Sequence, residues 1–206
     1  SETGLGFGFF GGMTEEEAKT DTANYNTLTL ENSSVSGYTF ALAGNGTKHG
    51  TAVTIQNSTL TGTIGAGIYH PQVGTLTVGG ANTKISGTSG IELRAGTLTV
   101  SGGEISATAK TFETLPNKPG TDHADGSTVD GAAIAVSQHG YDPDIAVNIT
   151  GGTLKGVKAL YEEDLQNEDV SNISVTVSGG TYEGDVESEN VTGFISGGTF
   201  AGAVDT

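Results

Sequence analysis

This sequence of 206 residues has no cysteine, no tryptophan, one methionine and a single arginine, Arg94. Without cysteine, no disulfide holds the fold together and no thiolate binds a metal or attacks a substrate. The formal net charge is −16, and only 8 residues are Lys or Arg. A chain this acidic repels nucleic acid and anionic membranes, so we expect neither as a partner. No apolar run approaches the roughly 20 residues of a membrane span, so we expect no membrane insertion.

Glycine is abundant instead, with 34 residues, more than twice its usual share of about 7%. One phrase recurs along the chain: two apolar residues separated by a polar one, then a Gly or Asn/Ser pair, then another apolar residue. Its copies begin at residues 28, 53, 76, 98, 147, 175 and 193. A period of 20–30 residues is typical of solenoids, and the alternation of apolar and polar residues indicates strands rather than helices.

Each repeat is long enough for three short strands and predicts one coil of a solenoid. The Gly or Asn/Ser pair predicts a tight corner, where glycine can adopt a positive φ. A second strand follows in each coil, and we expect its apolar residues to form one interior column: Phe40, Ile68, Ile91, Ile134 and Leu160. We therefore predict an all-β fold, a single-stranded right-handed parallel β-helix with about 22 residues per coil. A β-sandwich and a disordered chain are the alternatives, and the near-constant spacing argues against both.

The N-terminal segment is predicted to contain a short helix that caps the β-helix. Thr14 and Glu17 have the spacing of a capping box, which predicts a helix from Thr14 to about Thr20. We expect three aromatic side chains before this helix to cover the first coil: Phe7, Phe9 and Phe10.

These features divide the chain into two parts. Residues 1–27 form the predicted cap segment, and residues 28–206 form the predicted β-helix with a loop insertion at 108–131. That insertion is long and polar, and loops of this length are usually functional or mobile.

Second-strand residues that alternate with the interior column should face outward on the side of the loops. They mix aromatic and charged side chains, which are common at protein interfaces. We predict a ligand-binding patch composed of Tyr69, His70, Glu92, Arg94, Gln138, His139, Tyr141, Tyr161 and Glu163.

The residues that catalysis would need are scarce. Lyases need a basic residue to take a proton, and hydrolases need two or three carboxylates at close range. We interpret Asp142, Asp144 and the acidic run 162–164 as solvated loop carboxylates, so we predict no enzyme and no catalytic residue. We also expect no cofactor and no metal site. If calcium bound, its ligands would be Asp122, Asp125 and Asp130.

Four stretches carry a resemblance to known proteins: GIYHPQVGTLTV (67–78), GIELRAGTLTVSGGEI (90–105), DGAAIAVSQH (130–139) and VTGFISGGTF (191–200). They resemble repeat-rich surface proteins of Gram-positive gut bacteria. Those proteins are similar to pectate-lyase-like right-handed β-helices but usually lack their active sites. The resemblance implies an extracellular chain, attached to the cell surface or secreted and part of a longer multidomain protein.

Several functions remain open at this point. The first hypothesis is a non-catalytic adhesion module that binds a host protein, and the resemblance suggests a mucosal glycoprotein or a secreted immunoglobulin. The second is a polysaccharide-binding module that uses Tyr69, Tyr141 and Tyr161 as an aromatic platform, although the absence of tryptophan weakens it. The third is a passive spacer, which needs no site.

Overall fold

The computed structural model describes residues 4–114, 127–164 and 170–206. In these ranges the chain forms 20 strands, of which 18 belong to one continuous sheet. All strand pairs of this sheet are parallel, and each strand pairs with its counterpart in the neighbouring coil. The prediction of an all-β parallel β-helix is therefore confirmed. The right-handed sense of the coil and the division at residue 28 stay predictions.

Three rows of strands run along the axis of the β-helix. The first row contains β2 (Asn26–Glu31), β5 (Thr51–Gln56), β8 (Gly74–Gly79), β11 (Gly96–Val100), β16 (Ile145–Ile149) and the start of β18 (Ile173–Ser188). The second row contains β3 (Ser34–Gly37), β6 (Thr59–Gly62), β9 (Lys84–Gly87), β12 (Glu104–Ala107), the start of β17 (Thr153–Glu162), the middle of β18 and the end of β19 (Ile195–Phe200). The third row contains β1 (Phe7–Gly8), β4 (Leu42–Ala43), β7 (Ile68–His70), β10 (Ile91–Leu93), β15 (Ala132–Val136), the ends of β17 and β18, and β20 (Val204–Asp205).

Apolar side chains of successive coils stack in columns inside these rows. In the first row the pairing joins equivalent residues of the first six copies, as the alignment of the phrase predicts: Leu28, Val53, Leu76, Leu98, Val147 and Val175. In the third row Ile68, Ile91, Ile134 and Leu160 share one column, also as predicted. No coil can bury these side chains alone, so the core exists only because the coils stack.

The predicted third-row column is wrong at one position. Leu42, not Phe40, pairs with Ile68, and Ala43 therefore pairs with Tyr69. A shift of two residues keeps the same side chains on the same face of a strand. The alternation of apolar residues therefore could not distinguish the two registers.

The corner between the first and second rows uses backbone conformations with positive φ. The residues at this corner in successive coils are Asn32, Asn57, Gly80, Gly103, Gly152 and Gly180. At Gly80 the φ is +81°, and an added Cβ would lie 2.6 Å from Oδ1 of Asn57. Glycine is needed there both for its backbone conformation and for the close approach of the preceding coil.

A short helix, α1 (Glu15–Thr20), precedes the first coil and is followed by a 3₁₀ turn at Thr22–Asn24. The hydroxyl of Thr14 accepts from the N–H of Glu17 at 3.3 Å, and the Glu17 carboxylate accepts from the N–H of Thr14 at 2.9 Å. The predicted capping box is therefore present. Phe9 packs against the core, and Phe7 pairs with Leu42 while its side chain is 43% exposed. Phe10 is 47% exposed, so the expectation that all three rings cover the first coil stays a prediction. That the segment caps the β-helix stays a prediction.

The insertion at 108–131 begins and ends in a small antiparallel pair, β13 (Glu113–Thr114) with β14 (Val129–Asp130). Asp130, one candidate calcium ligand, lies in this pair opposite Glu113. Asp122 and Asp125 lie outside the described residues, so the calcium expectation stays untested.

We expect Ile91→Ala to lower the free energy of unfolding by about 2–5 kcal/mol, because Ile91 is fully buried in the third-row column and its removal leaves a cavity. Urea unfolding followed by circular dichroism measures the change. Ile64→Ala is the matched control, since Ile64 is 54% exposed, and its effect should stay within about 0.5 kcal/mol. Equal losses in the two variants would contradict the assignment of the column as the core.

Candidate functional site

The third row carries Tyr69, Glu92 and Tyr161 on the outer face of its strands, and Arg94 directly follows one of them. The pairing places Tyr69 beside Glu92, and Ala135 between Glu92 and Tyr161. Their side chains are nevertheless buried, with exposed fractions of 7% for Tyr69, 2% for Tyr161 and 0% for Glu92 and Arg94. The prediction that they form an exposed patch is wrong, although their positions along the row are right.

Residues of the insertion cover this row. The backbone N–H and the hydroxyl of Thr128 both donate to Oε1 of Glu92. Further along, the ring of Phe112 packs edge-on against the ring of Tyr161, with centroids 4.6 Å apart. Alternation along a strand assigns a side chain to the outer face of the sheet. It does not say whether a loop packs on that face, and here the insertion covers Glu92 and Tyr161.

Arg94 supports the chain that leads into the loop at 139–144. Its guanidinium donates to the carbonyl of Ser137 at 3.3 Å, to the carbonyl of Gln138 at 3.2 Å and to the hydroxyl of Tyr69 at 3.4 Å. The ring of Tyr69 is itself stacked on Phe40, with centroids 5.2 Å apart. A buried guanidinium is tolerated only when it is well hydrogen-bonded, and these acceptors fix its position. Arg94 therefore holds the base of the loop together.

Gln138 fixes the same loop from the inside. Its Nε2 donates to the carbonyl of Pro143 at 2.6 Å and to Oδ1 of Asn172 at 2.8 Å. Asn172 in turn donates to a carboxylate oxygen of Asp142 at 3.3 Å. Gln138 is fully buried, so the structure assigns it a positioning role under the loop.

Two glutamates at the end of β17 are also engaged in hydrogen bonds within the fold. The hydroxyl of Tyr161 donates to the carboxylate of Glu163, and burial together with this carboxylate raises the pKa of Tyr161. Glu162 is not a solvated loop carboxylate as expected, because it is fully buried. It accepts from the hydroxyl of Ser188 at 2.6 Å and from the backbone N–H of Asn190 at 3.0 Å. It thereby holds the turn that follows β18.

His70 lies on the interior side of β7, where it pairs with Leu93. Its Nδ1 lies 3.2 Å from the carbonyl of Ala95, so Nδ1 carries the hydrogen, and Nε2 is buried without a hydrogen-bond partner in the described ranges. Burial lowers the pKa of His70 to about 4. The ring is therefore neutral at physiological pH and belongs to the core.

The open concave surface lies elsewhere, beside the start of α1. This imidazole cleft has a volume of about 560 Å³ and is lined by Thr14, Glu15, Gly46, Thr47, His49, His139, Gly140 and Tyr141. Of the predicted site residues, His139 and Tyr141 belong to it, and the others do not. The sequence analysis did not select His49 and Gly46, which lie in a loop outside the repeated phrase. Only the stacking of the coils brings that loop next to the loop at 139–144.

Three rings form the wall of the imidazole cleft. Tyr141 contacts His49 edge-on with centroids 5.2 Å apart, and it contacts His139 at a tilt with centroids 4.7 Å apart. The hydroxyl of Tyr141 donates to the carbonyl of Pro71 at 2.8 Å, which fixes the ring. Nδ1 of His49 accepts the backbone N–H of Val73 at 3.1 Å. Each ring is thus anchored to the backbone of a neighbouring segment or packed against another ring.

Both imidazoles of the cleft are neutral at physiological pH. Burial, with a smaller effect of the charge on Arg94, lowers the pKa of His139 to about 4. Burial also lowers the pKa of His49. Because Nδ1 of a neutral His49 accepts a hydrogen bond, its hydrogen is on Nε2. His49 therefore presents an N–H donor to the cleft.

A second groove lies at the other end of α1. This axial groove has a volume of about 400 Å³ and runs across the first row. Its polar lining comes from α1 and several coils: Lys19, Thr22, Tyr25, Thr75, Thr97, Asp144, Asn172 and Ser174. None of the predicted site residues lines it.

Within the described ranges, no group of three His, Asp or Glu side chains is placed to hold a metal ion. Neither helix in those ranges is long and apolar enough to cross a membrane. Comparison of the chain with protein families, curated proteins and solved structures finds no match.

We expect the stability of the protein to fall between pH 6.5 and pH 4, partly because of His70. The unfolded chain takes up a proton at an ordinary pKa of about 6.5, whereas buried His70 resists protonation down to about pH 4. Proton uptake therefore favours the unfolded state over this window. At pH 4.5 His70 should account for a loss of about 2 kcal/mol relative to pH 7.

Urea unfolding of the wild type and of His70→Asn at both pH values measures this contribution. Asparagine keeps an N–H near the position of Nδ1 but does not titrate. The variant should lose less stability on acidification than the wild type. The same loss in both proteins would show that His70 titrates normally in the fold.

Proposed function

We propose that this β-helix is a non-catalytic extracellular binding module of a bacterial surface protein. Its partner is a host protein, namely a mucosal glycoprotein or a secreted immunoglobulin, bound on the loop side of the β-helix. The observation that carries the proposal is the imidazole cleft. It is an open concavity with anchored aromatic rings and an N–H donor on His49 from which no described residue accepts, and sites of this kind are the usual places where proteins bind ligands.

The environment of the acidic and basic groups supports a non-catalytic role. Glu92, Glu162 and Glu163 each accept hydrogen bonds from neighbouring side chains. Arg94, the one arginine, is buried against backbone carbonyls. General acid or base catalysis needs groups that reach a substrate proton, and these residues instead stabilise the loops.

Polysaccharide binding is the second candidate, and the size of the imidazole cleft favours it. The aromatic platform expected for this function is wrong, because Tyr69 and Tyr161 are buried under other residues. Tyr141 is the remaining member, half-buried at the wall of the cleft. A passive spacer is the third candidate and would use no part of this surface.

We expect the purified domain to bind immobilised mucin or secretory immunoglobulin A with a Kd of about 1 μM or tighter in surface plasmon resonance. Thr47→Arg should weaken this binding at least tenfold, because Thr47 is exposed at the rim of the imidazole cleft and arginine would obstruct it. Thr176→Arg is the matched control, since Thr176 is an exposed threonine of the first row. It should leave the Kd unchanged.

Failure of the wild type to bind either glycoprotein would contradict the adhesion proposal and favour the spacer. If Thr47→Arg binds as tightly as Thr176→Arg does, the contact lies outside the imidazole cleft.

A further inference from the structure

We propose that the imidazole cleft binds a neutral pyranose sugar, with the apolar face of the sugar against Tyr141 and a sugar hydroxyl accepting from Nε2 of His49. This inference rests on the proposed function, because it names the part of a host glycoprotein that the cleft recognises. It follows from the state of His49, the nature of the wall, the charge of the lining and the size of the cleft.

His49 supplies a donor that the described fold does not use. His49 is only 5% exposed, and it lines the cleft. Its Nδ1 is taken by the N–H of Val73, which leaves the hydrogen on Nε2. No residue in the described ranges accepts from Nε2. Nε2 is not enclosed by the described residues, so a sugar hydroxyl that enters the cleft can replace the water that would otherwise accept from it.

The wall beside this donor is mostly apolar and rigid. The phenol of Tyr141 is held by the carbonyl of Pro71 at 2.8 Å, so the ring presents carbon surface rather than a free hydroxyl. His139 packs at a tilt beside it, with ring centroids 4.7 Å apart. A pyranose has one face of C–H groups and an edge of hydroxyls, so it needs a flat apolar surface next to a few fixed polar groups.

The charge of the lining favours a neutral ligand. Among the described lining residues, Glu15 is the one charged side chain, because both imidazoles are neutral. Its carboxylate pairs with Lys19 at 2.7 Å, so little uncompensated charge faces the cleft. An anionic sugar would find no cation there and would be repelled by the net charge of −16. A cationic ligand would have to compete with Lys19 for Glu15.

The size of the cleft also suits a sugar. Its volume of about 560 Å³ lies within the range of about 300–1,000 Å³ that small-molecule sites occupy. Because the cleft is open, a terminal sugar of a longer glycan can enter while the rest of the glycan stays in solvent.

Gly46 provides a direct way to close the cleft. A Cβ at this position would lie 2.7 Å from Nε2 of His139, so Gly46→Ala reduces the space beside the imidazole. The φ of Gly46 is not positive, so alanine fits its backbone conformation. Gly12→Ala is the matched control, because a Cβ at Gly12 meets no atom within 4 Å.

The test is a titration of ¹⁵N-labelled protein with the methyl glycosides of galactose, glucose, mannose and N-acetylglucosamine, followed by NMR. At least one glycoside should shift resonances of cleft residues, with a Kd of about 1 mM or tighter. Gly46→Ala and His49→Asn should each weaken that binding at least tenfold. Asparagine keeps an acceptor for the N–H of Val73 but removes the donor at Nε2. Gly12→Ala should bind as the wild type does, and thermal unfolding should confirm that all variants are folded.

Several results would overturn the inference. These are no shift with any of the four glycosides, tighter binding of sialic acid or methylammonium, shifts caused by Zn²⁺ alone, or unchanged affinity in both cleft variants. The two proposals fail separately. If His49→Asn still binds immobilised mucin or immunoglobulin as the wild type does, the adhesion proposal stands and the sugar site is wrong. If the wild type binds the glycosides but neither glycoprotein, the sugar site stands and the host partner is wrong.

Discussion

The in-register stacking of coils is the constraint on which the rest of this structure depends. Each strand obtains its backbone hydrogen bonds from the coils before and after it, and each interior side chain is buried by its equivalents. A repeated phrase satisfies both needs at once, because identical positions then meet along the axis. The same constraint decides where variation is tolerated. Extra residues cannot enter a strand without breaking the register on both sides, so the insertions emerge where strands end.

The insertions then change the surface that they cover. Glu92 and Arg94 lie on the outer face of the third row, where water would solvate them in a bare β-helix. Thr128 of the insertion bonds Glu92, and the carbonyls of Ser137 and Gln138 accept from Arg94. Because an unpaired buried charge is costly, these contacts bind the loops to the β-helix in one arrangement. Glu92 and Arg94, which the sequence suggested as part of a ligand-binding patch, therefore hold the loops in position.

The difference between rows and loops explains what the sequence could predict. The columns through Leu98 and Ile91 were predictable because every coil repeats the same physical requirement. The pairing of Leu42, rather than Phe40, with Ile68 was not predictable, since residues 40 and 42 lie on the same face of an alternating strand. The cleft was predictable only in part. His139 follows a repeated strand, but His49 lies in a loop whose position depends on packing against residues 139–141, and no periodicity encodes that contact.

The rings of the cleft are held in place by the fold before any ligand binds. Its three rings come from two loops in different coils, yet each is tied to the β-helix: His49 to Val73, Tyr141 to Pro71, and the backbone of His139 to Arg94. Ligands lose affinity when binding must first order a loop or a side chain. Here the stacked coils have already fixed the rings before a ligand arrives. A cleft with few polar groups can therefore be selective, because those groups do not have to move to meet the ligand.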